Sequence, residues 1–427
     1  MKILFKNANI LDVEKGELFL GNVVVSNDII SYVGCALPKD NFDEIIDCNQ
    51  NILMPGFVDA HCHSPMTILR GVGDDTSLST WLYDKIIPFE NKLTPQDIYW
   101  GEKLAVLEYL ASGITTVEEC YFDNDQIIKA LSQSGLRARV GFGPSTRKEN
   151  KDLNKFLSQQ LGLFTNVDNT LIKPCVYVHS IYSSTYDDIE KCVDFSAKNN
   201  LPMSIHLCET LEEVGNCTVQ NGGLTPPQYL ESLGFFDRNS LCYHCVHMDK
   251  DDLQILADYN ASICTCPSSN IKLASGIAPV YAMQNKSINI TIGTDGVASN
   301  NSLDMFKEMF LVATLSKVSI CDASVIKAKD VLKMATKNGA KALGFDSGEI
   351  AVGKKADIIL IDIHKPHMYP HDNLISHLVY SAKSSDVILT MCNGEILYRD
   401  GKFINEYAQL IYKKVNEIRE RLKNEYK

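Results

Sequence analysis

The chain has 427 residues, a formal net charge of −12, 45% hydrophobic residues and 22% charged residues. These values are ordinary for a globular protein, and the length allows one large α/β domain with a smaller companion. The acidic balance argues against nucleic-acid binding, which requires clustered Lys and Arg. Polar residues interrupt the N-terminal apolar run, and no apolar stretch reaches the roughly 18 residues of a membrane span. We therefore expect a cytoplasmic protein that binds neither nucleic acid nor a membrane.

Both ends of the chain show the alternation of short β-strands. The runs ILFKNANIL and NVVVSNDIISYVG lie near the N-terminus, and SGEIAVGKKADIILID and DVILTMCNGEILYRDGK lie near the C-terminus. This pattern predicts a small β-sandwich built from residues 1–55 and 351–405. Residues 406–427 combine helical apolar spacing with abundant charge, which predicts a C-terminal surface helix.

The middle of the chain, residues 56–350, alternates short β-rich runs with amphipathic helical stretches. The β-rich runs are GFVDAHCH (56–63), GITTVEECY (113–121), LRARVGFG (136–143), KPCVYVHS (173–180), LPMSIHLCE (201–209), SLCYHCVH (240–247), ASICTCP (261–267) and INITIGTDG (288–296). Eight strands that alternate with helices predict an α/β fold of the (β/α)₈ TIM-barrel type, which would be the catalytic domain.

Histidines gather at one end of this predicted barrel. Six of the ten histidines lie at or near the C-terminal end of a predicted strand: His61, His63, His179, His206, His244 and His247. A single histidine of this kind would more often be a buried core residue. Barrel enzymes, however, build their active sites at the C-terminal ends of the strands, and the clustering therefore favours a functional site.

Four of the barrel side chains have the pattern of a metal site. His61 and His63 are two residues apart on a strand and so point to the same side, and neutral imidazole suits zinc or iron. His206 ends strand five and Asp295 ends strand eight, so a closed barrel can direct all four toward one divalent ion. The only lysine of strand four, Lys173, lies at the opposite end of that strand, where it cannot bridge two ions. One ion is therefore predicted, with zinc favoured and iron as the alternative.

Long motifs around these residues resemble the amidohydrolase superfamily. They are PGFVDAHCHSPMTILRG (55–71), HLCET (206–210), HCVH (244–247), CPSSNIKLASGIAPV (266–280) and GTDGVASNNSLDMFKEM (293–309). More closely, the chain is similar to the branch of 5'-methylthioadenosine and S-adenosylhomocysteine deaminases with related chlorohydrolases. The similarity extends over nearly the whole chain and also suggests a homo-oligomer.

The resemblance implies roles for individual residues. It implies that His61, His63, His206 and Asp295 bind the metal, that Glu209 moves a proton to the substrate ring and that His244 assists at the leaving group. It further implies that Glu90 grips the ribose hydroxyls and that His179 contacts the base. Related enzymes hold a substrate carboxylate with arginines near the third strand, and Arg147 is the candidate in this chain.

These roles are chemically coherent for hydrolytic deamination. A bound metal lowers the pKa of water from about 16 to about 7, and Asp295 can accept the proton that is released. Attack on the ring carbon is easy only if the adjacent ring nitrogen is protonated, and Glu209 can supply that proton, a form of catalysis worth about 10² to 10⁴ in rate. The alternatives are that Glu209 only orients His206 and that His244 only stacks on or orients the substrate.

We expect an aminohydrolase that converts a small-molecule purine nucleoside, 5'-methylthioadenosine, S-adenosylhomocysteine, 5'-deoxyadenosine or adenosine, to the inosine analogue and ammonia. Trp81, in the connection between His63 and Thr94, suits nucleoside binding, although core packing would explain it equally well. The alternative function is deamination or dechlorination of another heterocycle, such as guanine, cytosine or an s-triazine. A catalytically silent barrel would lack metal ligands or the proton-moving glutamate, and the sequence lacks neither.

Overall fold

The computed structural model describes residues 1–78, 80–144 and 152–426 of the chain. Five strands come first, and turns such as that around Gly16 separate them. They are β1 (Lys2–Asp12), β2 (Glu17–Ser26), β3 (Ile29–Gly34), β4 (Glu44–Asp47) and β5 (Ile52–Pro55). The first hairpin closes at Gly16, whose φ of +68° lies in the left-handed region that favours glycine.

The central part of the chain forms a second, fully parallel sheet. Its strands are β6 (Phe57–His63), β7 (Ile114–Glu119), β8 (Arg137–Phe142), β9 (Ile172–Val178), β10 (Met203–Leu207), β11 (Ser240–His244), β12 (Ser262–Thr265), β13 (Asn289–Ile292) and β14 (Asp295–Gly296). They are almost entirely buried, as expected for a parallel sheet that is covered by helices. All eight predicted strands are therefore confirmed.

The eighth predicted strand is divided into two short pieces, and each piece pairs with a different neighbouring strand. The order of the strands is β13-β12-β11-β10-β9-β8-β7-β6-β14, so β13 lies at one end of the path and β14 at the other. Asp295 of β14 pairs with Cys62 of β6, while Ile292 of β13 pairs with Thr265 of β12. Because β13 and β14 are separated by only two residues, this segment closes the parallel sheet into a barrel.

Helices cover the barrel and follow most of its strands. They are α1 (Ile87–Glu90), α2 (Pro95–Ser112), α3 (Asn124–Ser134), α4 (Leu153–Gly162), α5 (Tyr186–Asn199), α6 (Leu211–Gln220), α7 (Pro226–Ser232), α8 (Lys250–Asp258), α9 (Pro267–Lys272), α10 (Val280–Asn285), α11 (Val297–Asn300), α12 (Met305–Ile320), α13 (Ala328–Met334) and α14 (Lys337–Leu343). Shorter 3₁₀ turns cover Ser64–Leu69 and Phe235–Asp237, and a π-helix covers Thr80–Ile86. Local signals set the helix starts: the side chain of Thr94 accepts a hydrogen bond from the backbone of Asp97 in a capping box that begins α2.

The C-terminal part returns to the first sheet. It contains β15 (Ile358–Ile361), α15 (Leu374–Tyr380), β16 (Val387–Cys392), β17 (Glu395–Arg399), β18 (Lys402–Phe403) and α16 (Ala408–Tyr426), with 3₁₀ turns at Pro366–Met368, His371–Asn373 and Ser384–Asp386. The strand order is β18-β17-β16-β15-β5-β1-β2-β3, and β4 pairs with β1. The β-sandwich was predicted from both chain ends; a second sheet from both ends is confirmed, and its strands are continuous through the β15–β5 pair. The domain boundaries proposed after residues 55 and 350 fall between β5 and β6 and before β15.

Successive side chains along β5 and β15 face two different apolar cores, and this alternation joins the two sheets. Leu53, Ile358 and Leu360 face the apolar core of the first sheet, whereas Ile52 and Ile359 belong to the apolar cluster of the barrel. The buried guanidinium of Arg137 in β8 adds a polar anchor. Its Nε and Nη2 donate to the carboxylate of Asp357 at 2.7 and 3.0 Å. The barrel and the first sheet are therefore held together by a shared core and a two-point ion pair.

The predicted C-terminal helix is present as α16. Its buried side chains Ile411, Val415, Ile418 and Leu422 recur at helical spacing and pack as one face. Arg421 reaches Asp97 of α2, so the helix is attached to the barrel. Within the described residues, no helix is both long enough and apolar enough to cross a bilayer.

Candidate metal centre

Five side chains from four barrel strands converge at the C-terminal ends of those strands. His61 and His63 come from β6, His206 from β10, His244 from β11 and Asp295 from β14. One ligand atom from each of His61, His206, His244 and Asp295 lies within 4.8 Å of the others, and all four residues are buried. Such a group of imidazoles and one carboxylate is a suitable ligand set for a divalent ion.

His63 is outside this tightest group but adjoins it. Its Nε2 lies 3.5 Å from Oδ1 of Asp295, the same distance as Nε2 of His61. The centre therefore offers four imidazoles to one carboxylate. Distance alone favours His244 over His63 as a ligand, whereas the shared approach of His61 and His63 to a single carboxylate oxygen favours the pair from β6.

Oxygen acceptors orient three of the four histidines. Nδ1 of His63 donates to the carbonyl of Cys120. Nδ1 of His206 donates to the carbonyl of His179 at 2.7 Å, and Nδ1 of His244 donates to Oδ1 of Asn270 at 2.8 Å. A histidine whose Nδ1 carries the proton presents an unprotonated Nε2, the atom that binds metal. The contact to His179 also means that a backbone carbonyl, rather than Glu209, orients His206.

His61 differs from the other three histidines. Its side chain is completely buried, and neither ring nitrogen has a hydrogen-bond partner among the described residues. Burial lowers the pKa of His61 to about 3, so its ring is neutral. Two buried nitrogens without partners are costly in a folded protein. A metal ion bound at Nε2 would satisfy one of them, and this residue therefore fits a metal site.

Asp295 is held as an anion. Burial would raise the pKa of its carboxyl, but His61, His244 and His63 outweigh this and keep the pKa well below its usual range. The hydroxyls of Ser269 and Ser299 donate to Oδ2, the latter at 3.0 Å, and the backbone N–H of Gly296 donates to Oδ1 at 2.6 Å. These donors orient the carboxylate toward the histidines.

The backbone at three of the strand ends is strained. Cys208, His244 and Asp295 have φ values of 51°, 65° and 63°, in the left-handed region that non-glycine residues rarely adopt. Such strain persists only where surrounding contacts enforce it, and it concentrates at functional sites. Its occurrence at three separate strand ends, around one cluster of buried ligands, is further support for a functional site.

Glu209 lies next to this cluster. Its side chain is buried and accepts a hydrogen bond from the Ser275 hydroxyl at 3.3 Å. Burial raises the pKa of the Glu209 carboxyl, whereas the nearby His244 acts in the opposite direction. For His244 itself, burial would lower the pKa, but the carboxylates of Glu209 and Asp295 outweigh burial and raise it. The two side chains thus form an adjacent acid–base pair.

A cavity of about 450 Å³, including the part open to solvent, adjoins the cluster. Its polar wall contains His63, His179, His206, Glu209, His244 and Asp295. Its apolar and aromatic wall contains Met66, Leu78, Trp81, Leu82, Tyr182 and Leu273. The combination of a few convergent polar groups with an apolar wall is typical of a small-molecule site.

Comparison with known proteins identifies the family of this barrel. Residues 52–397 match the sequence profile of the amidohydrolase family. The chain belongs to the amidohydrolase family. One relative, the 5-methylthioadenosine/S-adenosylhomocysteine deaminase of Dictyoglomus turgidum, is 40% identical over 413 residues, which cover 95% of this chain and 96% of the relative.

Two further comparisons support the same family. The 5'-deoxyadenosine deaminase of Methanococcus maripaludis is 37% identical over 422 residues, which cover 97% of this chain and 98% of the relative. A crystal structure of an adenosine deaminase from Xanthomonas campestris with bound zinc has a TM-score of 0.93 and 31% identity, and the match covers 99% of this chain and 98% of that one. The amidohydrolase fold therefore extends over both the barrel and the sheet formed by the chain ends.

The predicted substrate contacts occupy different places in this amidohydrolase. His179 and Trp81 line the cavity, and Nε1 of Trp81 also donates to the carbonyl of Ala298 at 3.2 Å, so Trp81 has a structural contact as well. Glu90 is buried at the end of α1, accepts a hydrogen bond from the Tyr121 hydroxyl, and does not line the described cavity. Arg147 lies outside the described residues.

Several residues that contact the amidohydrolase centre were not identified from the sequence. Ser269, Asn270 and Ser275 hold Asp295, His244 and Glu209 respectively, and all three belong to the motif CPSSNIKLASGIAPV. The motif itself was a signal, although nothing in the spacing assigns partners to its side chains. Tyr182 of the cavity wall lies outside these motifs and carried no comparable signal.

Proposed function

We propose that this amidohydrolase is a metal-dependent aminohydrolase that removes the amino group from the base of an adenine nucleoside with a modified 5' position. The observation that carries the proposal is the position of Glu209 beside His244, a member of the buried His–Asp cluster, in the wall of one cavity. A Lewis-acid site alone serves many hydrolyses. An acid–base pair beside it is what protonation of a ring nitrogen and departure of ammonia require.

We propose His61, His63, His206 and Asp295 as ligands of one ion. The two partnerless nitrogens of His61 and the orientation of His63 and His206 by backbone carbonyls fit this group. Within β9, Lys173 lies at the N-terminal end and donates to the carbonyl of Gly344, which leaves no bridging lysine for a second ion. The zinc in the Xanthomonas campestris enzyme supports zinc over iron.

When bound, the ion supplies Lewis-acid activation of water, whose pKa such sites lower from about 16 to about 7. Asp295, the anion of the centre, accepts the proton that the water loses. His244, held by Asn270, lines the cavity, and in the protonated form that its raised pKa favours it donates from Nε2 to the attacking oxygen. Water adds to the ring carbon that bears the amino group.

Glu209 moves the second proton. It donates to the ring nitrogen next to the attacked carbon, because negative charge would otherwise build on that nitrogen. The resulting carboxylate takes the proton of the hydroxyl that has added to the ring carbon and passes it to the amino group, which leaves as ammonia as the C=O bond forms. Asp295 then gives up the proton that it took from the water, and Glu209 takes one up from solvent, so both groups return to their starting states. The ring carbon gains the oxygen of water and loses nitrogen, so that an adenine nucleoside becomes the inosine analogue.

Ammonia release from a panel of substrates tests the proposal. Enzyme of measured metal content is compared on methylthioadenosine, S-adenosylhomocysteine, 5'-deoxyadenosine, adenosine, guanine, cytosine and a triazine. We expect kcat/KM for the adenine nucleosides to be at least about 100-fold above kcat/KM for the other heterocycles. A site that hydrogen-bonds a substrate hydroxyl discriminates by more than this factor against compounds that lack the hydroxyl. A preference for guanine, cytosine or the triazine would instead assign the chain to the alternative function.

Glu90→Ala is expected to lower kcat/KM for nucleosides that carry ribose hydroxyls. Loss of a hydrogen bond to a charged group corresponds to about 10- to 100-fold in kcat/KM. The measurement compares adenosine with 2',3'-dideoxyadenosine for the wild type and the variant. Tyr121→Phe is the matched control, since it removes only the hydroxyl that donates to Glu90 and should cost less. Equal loss on both nucleosides would rule out a role of Glu90 in gripping ribose.

A further inference from the structure

The orientation of His61 requires an explanation that hydrogen bonding does not provide. His63, His206 and His244 each donate from Nδ1 to an oxygen, but the Nδ1 of His61 contacts no acceptor among the described residues. An imidazole without such a partner is free to rotate about its side-chain torsions unless packing prevents it. Its Nε2 nevertheless lies 3.5 Å from Asp295, in position to share an ion.

Tyr243 of β11 stacks on the ring of His61, whereas the rings of His63 and His206 meet that ring nearly at right angles. The two rings are stacked, with centroids 3.7 Å apart and planes inclined by 23°. Tyr243 also meets the ring of His206 edge-on, with centroids 5.2 Å apart at 71°. Its side chain is completely buried. One flat side chain therefore contacts two of the proposed metal ligands from below the cavity, without itself lining it.

Cys120 contacts the hydroxyl of Tyr243. A hydrogen bond of 3.2 Å joins the Tyr243 hydroxyl to the Cys120 thiol. The carbonyl of the same Cys120 accepts the hydrogen bond from Nδ1 of His63. Cys120 thus links both histidines of the β6 pair: it contacts His63 directly through its backbone, and it contacts His61 indirectly through Tyr243.

Gly293 closes the other approach to His61. A methyl group at residue 293 would lie 2.9 Å from both Cβ and N of His61 and 2.7 Å from Sγ of Cys264. Such distances are below ordinary contact, so the chain between β13 and β14 passes directly against the base of the His61 side chain. With the Gly293 backbone against its base and Tyr243 on its ring face, His61 has little room to move.

We infer that Tyr243 is the positioning residue for His61: its stacked ring aims Nε2 at the metal position, in place of the hydrogen bond that orients the other histidines. This inference rests on the proposed metal site. Tyr243 touches neither substrate nor reacting atoms in this scheme. It acts through the geometry of the ligand, so that its removal changes metal binding before it changes chemistry.

The test measures zinc affinity by competition with a chromophoric chelator, together with the visible absorption spectrum of the Co²⁺-substituted protein, which reports ligand geometry. Tyr243→Leu is expected to bind zinc about 10- to 100-fold more weakly, the usual loss when the partner that orients a metal ligand is removed. Its Co²⁺ spectrum is expected to differ from that of the wild type. Tyr243→Phe keeps the flat ring and should retain zinc affinity within about threefold, since hydroxyl loss leaves the stack intact.

Phe142→Leu is the matched control, because Phe142 is an equally buried barrel aromatic with no ring contact to a histidine among the described pairs. It should leave zinc affinity unchanged. Equal affinity of the wild type and Tyr243→Leu, or equal losses in Tyr243→Leu and Phe142→Leu, would overturn the inference. A loss in Tyr243→Phe as large as in Tyr243→Leu would also overturn it, because the hydroxyl would then be the important group.

Two further measurements keep the result decisive. If Tyr243→Leu does not fold, Tyr243→Met fills more of the ring volume without providing a flat face and replaces it in the same comparison. Failure of the wild-type protein to bind one equivalent of zinc would refute the proposed function itself. A wild type that binds zinc, with Tyr243 variants that bind it equally well, would refute only the role of Tyr243.

Discussion

Asp295→Ala is expected to abolish deamination and to remove the metal from the purified protein. Asp295 is the only carboxylate in the described cluster of ligand atoms, and Ser269, Ser299 and the Gly296 N–H are all oriented toward it. Without the ion, water keeps a pKa of about 16 instead of about 7, so we expect activity to fall by more than about 10⁴-fold. Metal analysis and the ammonia assay on the same preparation measure both effects.

Two controls separate this loss from general damage. Asp252→Asn alters another buried carboxyl, which accepts a hydrogen bond from Thr225 and contributes no ligand atom to the described cluster, and it should retain metal and activity. Wild-type enzyme stripped by a chelator should lose activity and recover it when zinc is restored, whereas Asp295→Ala should not recover. Full zinc occupancy in Asp295→Ala would contradict the proposed ligand set.

The fold was predictable because its signals are local and repeated. Runs such as GFVDAHCH and SLCYHCVH are short, apolar and followed by turns, and eight of them alternate with helical stretches. The rule that barrel strands are parallel then places every strand's C-terminal end on one face. His61, His206 and Asp295 could therefore be grouped from sequence without any knowledge of the distances between them.

The contacts that orient the ligands were not predictable in the same way. Asn270 is 26 residues from His244, and the carbonyl of Cys120 is 57 residues from His63. Such pairs form because neighbouring strands adopt a particular register in the closed barrel, which no periodicity within one segment encodes. The division of the eighth strand into β13 and β14 is also a consequence of closure, since the two pieces pair with different neighbours.

Glu90 illustrates a second limit. The sequence places it in the long connection after β6, where binding residues are common. Its side chain instead contacts Tyr121, which follows β7 and lies with its ring 6.3 Å from that of His63. Whether a loop carboxylate reaches the cavity depends on how the loop folds against the barrel, and loop packing is set by tertiary contacts rather than by the local pattern. The role of Glu90 in ribose binding therefore stays a prediction.

Glu209→Gln is expected to keep the metal and lose most of the activity. The amide has nearly the same shape as the carboxylate but cannot deliver a proton to the ring nitrogen or return one to ammonia. Removing general acid–base help of this kind lowers kcat by about 10²- to 10⁴-fold. Metal content should not change, because the carbonyl of His179 orients His206 at 2.7 Å and Glu209 contributes no ligand atom to the described cluster.

Two neighbouring variants make this prediction specific. Glu212→Gln changes an exposed glutamate three residues further along the chain and should leave kcat unchanged. Ser275→Ala removes the hydroxyl that donates to Glu209 and should cost less than Glu209→Gln, because the carboxylate itself remains.

Substrate choice separates the two proton transfers proposed for Glu209, one to the ring nitrogen and one to the leaving group. A 6-chloropurine nucleoside carries a leaving group that departs as an anion and needs no proton, so Glu209→Gln should recover more of the wild-type rate on this substrate than on adenosine. The same loss on both substrates would mean that Glu209 protonates only the ring nitrogen. A loss of zinc together with activity would instead assign Glu209 to support of the metal ligands, and the proton would have to come from elsewhere in the cavity.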